Sequence, residues 1–148
     1  MSTGLDVFDT TLQQTNLWLK ELMKRLGTED RHVAYKVLSA TLHAVRDRIG
    51  PENAAHLGAQ LPMLIRGFYY EGWHAAGTPT KQRHKQEFLD YVNGDLFRGL
   101  GVDPETAVRA VFGVMSTRLD PGEIEKLTAL FPQELRSLWP LTPIGQPN

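Results

Sequence analysis

The chain has 148 residues, 41% of them apolar and 22% charged, with a net charge of −1 and no cysteine. That length suits one domain, and the interspersed charges exclude the strong basic field of a polyanion-binding protein. Without cysteine there is no disulfide, thiolate nucleophile or cysteine zinc site, and no apolar run approaches the roughly 18 residues of a membrane span.

The opening MSTGLDVFDTT has neither the basic start nor the apolar core of a secretory signal, so a cytoplasmic protein is expected. Asp6 is placed to cap a first helix, with Asp9 in its first turn where the helix dipole favours an anion. Phe8, Leu12, Thr15, Leu19, Leu22 and Leu26 step by three and four and predict its buried stripe; Gly27 is a natural stop. Thr28 or Asp30 caps a second helix whose wide apolar face, from Val33 and Val37 through Leu42 and Val45 to Ile49, predicts a central helix touched by several others. Gly50-Pro51 ends it and opens a short third helix that buries Ala54, Leu57, Gly58 and Leu61.

Pro62 lacks an N–H and would clash with the carbonyl four residues back, so a break is predicted there, with a fourth short helix over about 62–70. Residues 71–80, EGWHAAGTPT, read as a linker. A fifth helix over about 82–97 turns Phe88, Leu89, Val92 and Leu96 inward and ends at Gly99 and Gly101. Asp103-Pro104-Glu105 opens a sixth helix, and Asp120-Pro121-Gly122-Glu123 a seventh with Glu123 completing a capping box. Pro132 breaks that helix as Pro62 does the third, and 140–148 read as a mobile tail. No segment shows strand alternation, so the fold class is all-α with about eight helices.

Laying residues 18–66 on 88–136 without a gap puts apolar on apolar and proline on proline. Leu22 meets Val92, Leu26 meets Leu96, Leu42 meets Phe112, Leu57 meets Leu127 and Ile65 meets Leu135. Arg48, Pro51, Ala59, Pro62 and Arg66 fall on Arg118, Pro121, Ala129, Pro132 and Arg136. The organisation expected is one domain over 1–148 made of two pseudo-repeats of four helices, 8–70 and 82–139, packed about a pseudo-twofold axis. Residues kept in both halves read as structural. Arg48 and Arg118 suit the carbonyl end of a long helix, and Arg66 and Arg136 suit a bridge to a neighbouring helix end.

The stretches TEDRHVAYKVLSATLHAVRDRI and AAHLGAQLPMLIRGFYYEGW closely resemble the bacterial domain of unknown function 2267 family, over about Phe8 to Pro140. The AQLP–RG–YYEGW run carries the resemblance most specifically. It implies an all-helical domain without an established biochemical role and without catalytic or cofactor residues to transfer.

Function is then sought where the halves differ. His56, Gln60 and Tyr69-Tyr70-Glu71-Gly72-Trp73 have no like counterparts in the second half. A short helix cannot bury Phe68, Tyr69, Tyr70 and Trp73 on one stripe, and aromatics with arginine dominate interface energetics. The expected binding residues are therefore His56, Gln60, Arg66, Tyr69, Tyr70 and Trp73, docking a protein partner or a second copy through the aromatic exit of the first half. The alternative is a metal or small-molecule site, open to catalysis, built from His43, Asp47, Glu52 and His56, two pairs four residues apart. Against it, helix geometry turns these residues away from the apolar faces, toward water. No Gly-x-Ser-x-Gly elbow or phosphate-cradling loop is present, and Lys81, Arg83, His84 and Lys85 read as solvating a helix start rather than binding nucleic acid. Binding rather than catalysis is expected, with no cofactor, no nucleic acid and no membrane.

Overall fold

The computed structural model describes residues 2–94 and 99–140. Among them the chain forms eight α-helices and no strand: α1 (Asp6–Leu26), α2 (Arg31–Ile49), α3 (Pro51–Gly58), α4 (Met63–Tyr69), α5 (Lys85–Asn93), α6 (Pro104–Arg118), α7 (Pro121–Ala129) and α8 (Gln133–Arg136). The fold is all-α, as its sequence predicts. A single 3-10 turn, Ala75–Gly77, lies between α4 and α5.

Capping chemistry fixes most of the starts. Asp30 accepts from the His32 N–H, Asp103 from the Thr106 N–H, and Asp120 from the N–H groups of Gly122 and Glu123. Two starts differ from expectation. Asp6 is the first residue of α1 rather than its cap; Leu5 holds the cap position, and Asp9 reaches back to accept from the Thr3 N–H at 2.7 Å. Glu123 does not close a capping box, because its carboxylate is engaged by α3 instead. Pro62 and Pro132 each stand at the cap position of the helix that follows them. α5 is shorter than expected, ending at Asn93 with Gly94 as its cap. Leu96, its pairing with Leu26, and tail residues 141–148 lie outside the described residues.

α2 is the central helix, packing against α1, α3, α4, α5 and α6. Its apolar face is fully buried from Ala34 through Leu38, Leu42 and Val45, and each large apolar side chain enclosed this way contributes about 1.5–3 kcal/mol. α1 keeps Thr15, Leu19, Leu22 and the partly buried Leu26 of the expected stripe and departs from it at its start. Thr11, Thr15, Trp18, Leu19 and Leu22 face the core, while Phe8 and Leu12 are exposed. The helix is rotated this way because α4 docks on its Thr11 side, where the hydroxyl accepts the N–H of Leu64 at 2.8 Å. Farther along α1, Glu21 ties the helix to α6, accepting from Thr117 Oγ1 at 2.7 Å and Arg118 Nε at 2.9 Å.

The third and seventh helices end in the same way. Arg66 Nε donates to the Gly58 carbonyl and its Nη2 to those of Ala59 and Leu61. Arg136 Nε donates to the Phe131 carbonyl and its Nη2 to that of Ala129. Each guanidinium satisfies carbonyls that the proline break leaves without helical partners. Arg48 meanwhile donates to the Gln82 carbonyl, holding the chain just before α5.

Candidate binding site

α3 lies beside α7, and the polar contacts between them come from two residues singled out in the sequence. His56 Nε2 meets Glu123 Oε2 at 2.8 Å, and Gln60 Nε2 donates to the same oxygen at 3.1 Å. These hydrogen bonds, His56 first, hold the Glu123 carboxyl below its usual range. Behind them is a cavity of about 500 Å³ with a floor of Leu57, Leu119, Leu127 and Leu130. Polar groups converge at its mouth over an apolar floor, a composition that suits ligand pockets.

Gln60 and Leu119 also line a second hollow, of about 820 Å³, between the start of α1 and the break at Pro62. Arg66 borders it, together with Val7, Leu17 and Met63. The two hollows therefore form one surface, with Gln60 at the join. Large apolar side chains stand open on it: Val7 is 50% exposed, Leu17 47%, Met63 46% and Leu130 40%. His56, Gln60 and Arg66 are brought together here.

The aromatic exit goes elsewhere. Tyr69 is fully enclosed and its hydroxyl donates to the Ala54 carbonyl at 2.7 Å; burial pushes its phenol well above the usual range. Phe68 is nearly buried and packs edge-on against Tyr35. Tyr70 and Trp73 are half-buried, their rings 5.4 Å apart. Tyr70 lies over Gly58 so closely that a Cβ at residue 58 would overlap its hydroxyl. The Trp73 indole Nε1 is buried without a hydrogen-bond partner among the described residues. Four aromatics thus leave one short helix by closing on the chain itself.

Of the four residues of the metal alternative, the chain separates two pairs. Glu52 and His56 are exposed at the α3 cavity, whereas His43 and Asp47 line a groove beside α5. Among the described residues no group of three or more His, Asp or Glu side chains is placed to hold a metal ion. The expectation that His43 and Asp47 face water is corrected. Asp47 is 8% exposed and His43 is half-buried, because α5 and the 71–80 segment close over that side of α2.

The same region contains residues that the sequence reading did not single out. Arg46, 4% exposed, donates from Nε to Asp47 Oδ1 at 2.8 Å and from Nη1 to the carbonyls of Tyr69 and Glu71. Tyr91 of α5 donates to Asp47 Oδ2 at 2.6 Å; burial and this bond push its phenol up to about 12. The Asp47 carbonyl accepts the Thr80 N–H at 2.8 Å. A spacing signal was present: Arg46 is four residues after Leu42 and three before Ile49, on the apolar stripe itself. A charge at such a position needs a partner. The basic run is also engaged, Lys85 with Glu105 and His84 with Glu134.

Residues 15–138 match the family described as uncharacterized conserved protein (DUF2267). The chain belongs to that family. The match spans α2 to α8 and all but the first turns of α1, so both the α3–α7 cavity and the buried Arg46–Asp47 pair belong to the DUF2267 region. No curated protein matches the chain. No helix among the described residues is long and apolar enough to cross a membrane.

Proposed function

We propose that this DUF2267 chain acts by binding rather than catalysis, and that the occupant of the joined hollows at Gln60 is a second copy of the chain. The observation that carries this reading is the set of large apolar side chains standing open on that surface, Val7, Leu17, Met63 and Leu130. The start of α1 supplies the matching element. Leu5, Phe8 and Leu12 are exposed there as well, so among the described residues its first turns leave apolar surface uncovered beside the face on which α4 docks. In an isologous pair each α1 start lies in the other copy's hollow, and the Arg66, Arg118, Glu123 and Lys126 rim offers both charge signs to itself. The aromatic exit then supports the surface from behind, through Tyr70 under α3, instead of forming it.

Sedimentation of the wild-type chain and of Phe8→Asp/Met63→Asp tests this. The wild type is expected at twice the 16.7 kDa chain mass, with a melting temperature that rises with concentration, and the variant at the chain mass with its helical circular dichroism retained. A wild-type chain that stays monomeric at high concentration overturns the reading.

The proposal extends to organisation: one domain of two four-helix repeats, 8–70 and 82–139, joined by 71–80. Its support is the shared carbonyl capping by Arg66 and Arg136 after prolines placed alike. The sequence register that pairs these residues also pairs the long helices α2 and α6.

A further inference from the structure

A second concavity, separate from the hollows at Gln60, runs between α2, α5 and the Glu71-Gly72 segment, with a volume of about 820 Å³. Its α2 wall is a polar stripe: Ser39, His43 and Arg46 recur at i, i+4 and i+7 and so share one helix face. Each offers the groove an atom that the protein leaves unused. Arg46 is 4% exposed; its Nε and Nη1 hydrogens are taken by Asp47, Tyr69 and Glu71, while Nη2 has no hydrogen bond among the described residues and is not sealed from solvent. His43 Nε2 lies 2.6 Å from the Phe68 carbonyl, which only accepts, so Nε2 carries the hydrogen and Nδ1 of the neutral ring is an acceptor. Ser39 is 7% exposed, and its hydroxyl likewise has no hydrogen bond among the described residues and is not sealed off.

This arrangement is built rather than incidental. A guanidinium with three hydrogen bonds, two of them to the buried Asp47 and Tyr69, is held in place, so Nη2 is fixed in direction, and the Phe68 carbonyl fixes the imidazole in the same way. A donor and an acceptor three residues apart thus share one side of α2, their Cα atoms about 4.5 Å apart along the helix axis. A donor beside an acceptor is the complement of an amide, whose C=O accepts and whose N–H donates. Charge selects further. Asp47, Glu71 and Asp90 line the groove against Lys36 and Arg46, so carboxylates outnumber cations. Asp47 is neutralised by Arg46, which leaves Glu71 and Asp90 against Lys36, an excess of one carboxylate that favours a cation. An anionic ligand is disfavoured despite the arginine.

We propose that this groove binds a peptide-type amide joined to a basic group. Its carbonyl accepts from Arg46 Nη2, its N–H donates to His43 Nδ1, and the basic group lies beside Glu71 and Asp90. Ser39 bonds the next polar group of the ligand along the stripe.

The test uses the full chain and the probe N-acetyl-lysine N-methylamide, with the norleucine and glutamate analogues as controls. Titration is followed by the ¹⁵N resonance of His43 Nδ1. The expected result is a saturable movement of that resonance with the lysine probe, about tenfold weaker binding when the cation is removed, and no binding of the glutamate analogue. Ser39→Ala with His43→Gln is expected to weaken the probe by about tenfold or more while the fold is retained. A longer probe, N-acetyl-Ala-Lys-Ala N-methylamide, separates the sources: tighter binding assigns the groove to peptide segments, equal binding to a small free amide. An unmoved Nδ1 resonance in the wild-type chain at millimolar probe overturns the proposal without any variant. So does equal affinity for the glutamate analogue.

Discussion

In the C-terminal half, Phe88, Phe112, Phe131 and Trp139 close into one apolar cluster, with Phe112 and Trp139 stacked at 3.8 Å. In the N-terminal half, the space between α2 and the end of α4 is held by Arg46, Asp47, His43 and the Tyr69 hydroxyl. Both junctions seat the last residues of a short helix on a long one. The aromatic cluster does so mainly with dispersion and burial, beside one exposed bond from Arg109 Nη1 of α6 to the Ser137 carbonyl. The polar junction fixes carbonyls and the 71–80 segment by directed bonds, and those bonds leave three polar atoms facing a groove. The difference is one of means: one half uses directed polar bonds where its counterpart uses rings.

The comparison breaks first at its buried ions. Asp47→Ala leaves Arg46 buried without its counter-ion and is expected to cost about 3–5 kcal/mol in denaturant unfolding, whereas Arg46→Met with Asp47→Leu costs much less. Phe131→Ala, at the aromatic junction, is expected to cost a similar 3–5 kcal/mol from lost burial and a cavity. Unlike Asp47→Ala, that loss does not change with salt or pH, which distinguishes the two junctions. Arg66→Ala and Arg136→Ala each remove capping of free carbonyls and are expected to lower stability by about 1–3 kcal/mol, equally within error. A clear inequality would separate the two arginines and weaken the repeat.

Acid sharpens the contrast in a gentler way. Burial lowers the His43 pKa and outweighs the raising effect of the Phe68 carbonyl, with Arg46 acting in the same direction as burial. The unfolded chain therefore binds the proton more readily than the folded one. Stability is full above the ordinary histidine value of about 6.5 and falls as pH drops from there through the folded value. Chemical denaturation between pH 7.5 and 5 should show this loss in the wild type and a smaller one in His43→Gln. A second loss at lower pH belongs to Glu21 and Glu123, whose depressed values make their contributions disappear as the carboxylates protonate. The smallest effect expected is from Lys81→Ala, exposed and outside every junction, within about 0.5 kcal/mol of wild type.

Much of the fold was legible in the sequence because it is written in local chemistry. Asp30, Asp103 and Asp120 mark helix starts, and Pro62 and Pro132 mark breaks, whatever surrounds them. The width of the apolar face on α2 likewise announced its central place. What local chemistry could not show is which of two compatible partners a side chain takes. Glu123 suits a capping box by spacing, yet His56 and Gln60 reach it first from another helix. Phe8 and Leu12 suit a buried stripe, yet the position of α4 decides which face of α1 is covered. Half of the expected binding residues, His56, Gln60 and Arg66, do meet on one surface. Tyr69 does not, because its ring is enclosed in the core and its hydroxyl finds the Ala54 carbonyl there. Arg46 was overlooked because a charge within an arginine-rich helix end reads as solvated until its spacing from Leu42 and Ile49 is counted.

The central claim is that the surface at Gln60 receives a second copy. Sedimentation of the wild-type chain beside Phe8→Asp/Met63→Asp tests it most directly. The account predicts twice the chain mass for the former and the chain mass for the latter, with helical circular dichroism retained in both. A single mass shared by both proteins contradicts it.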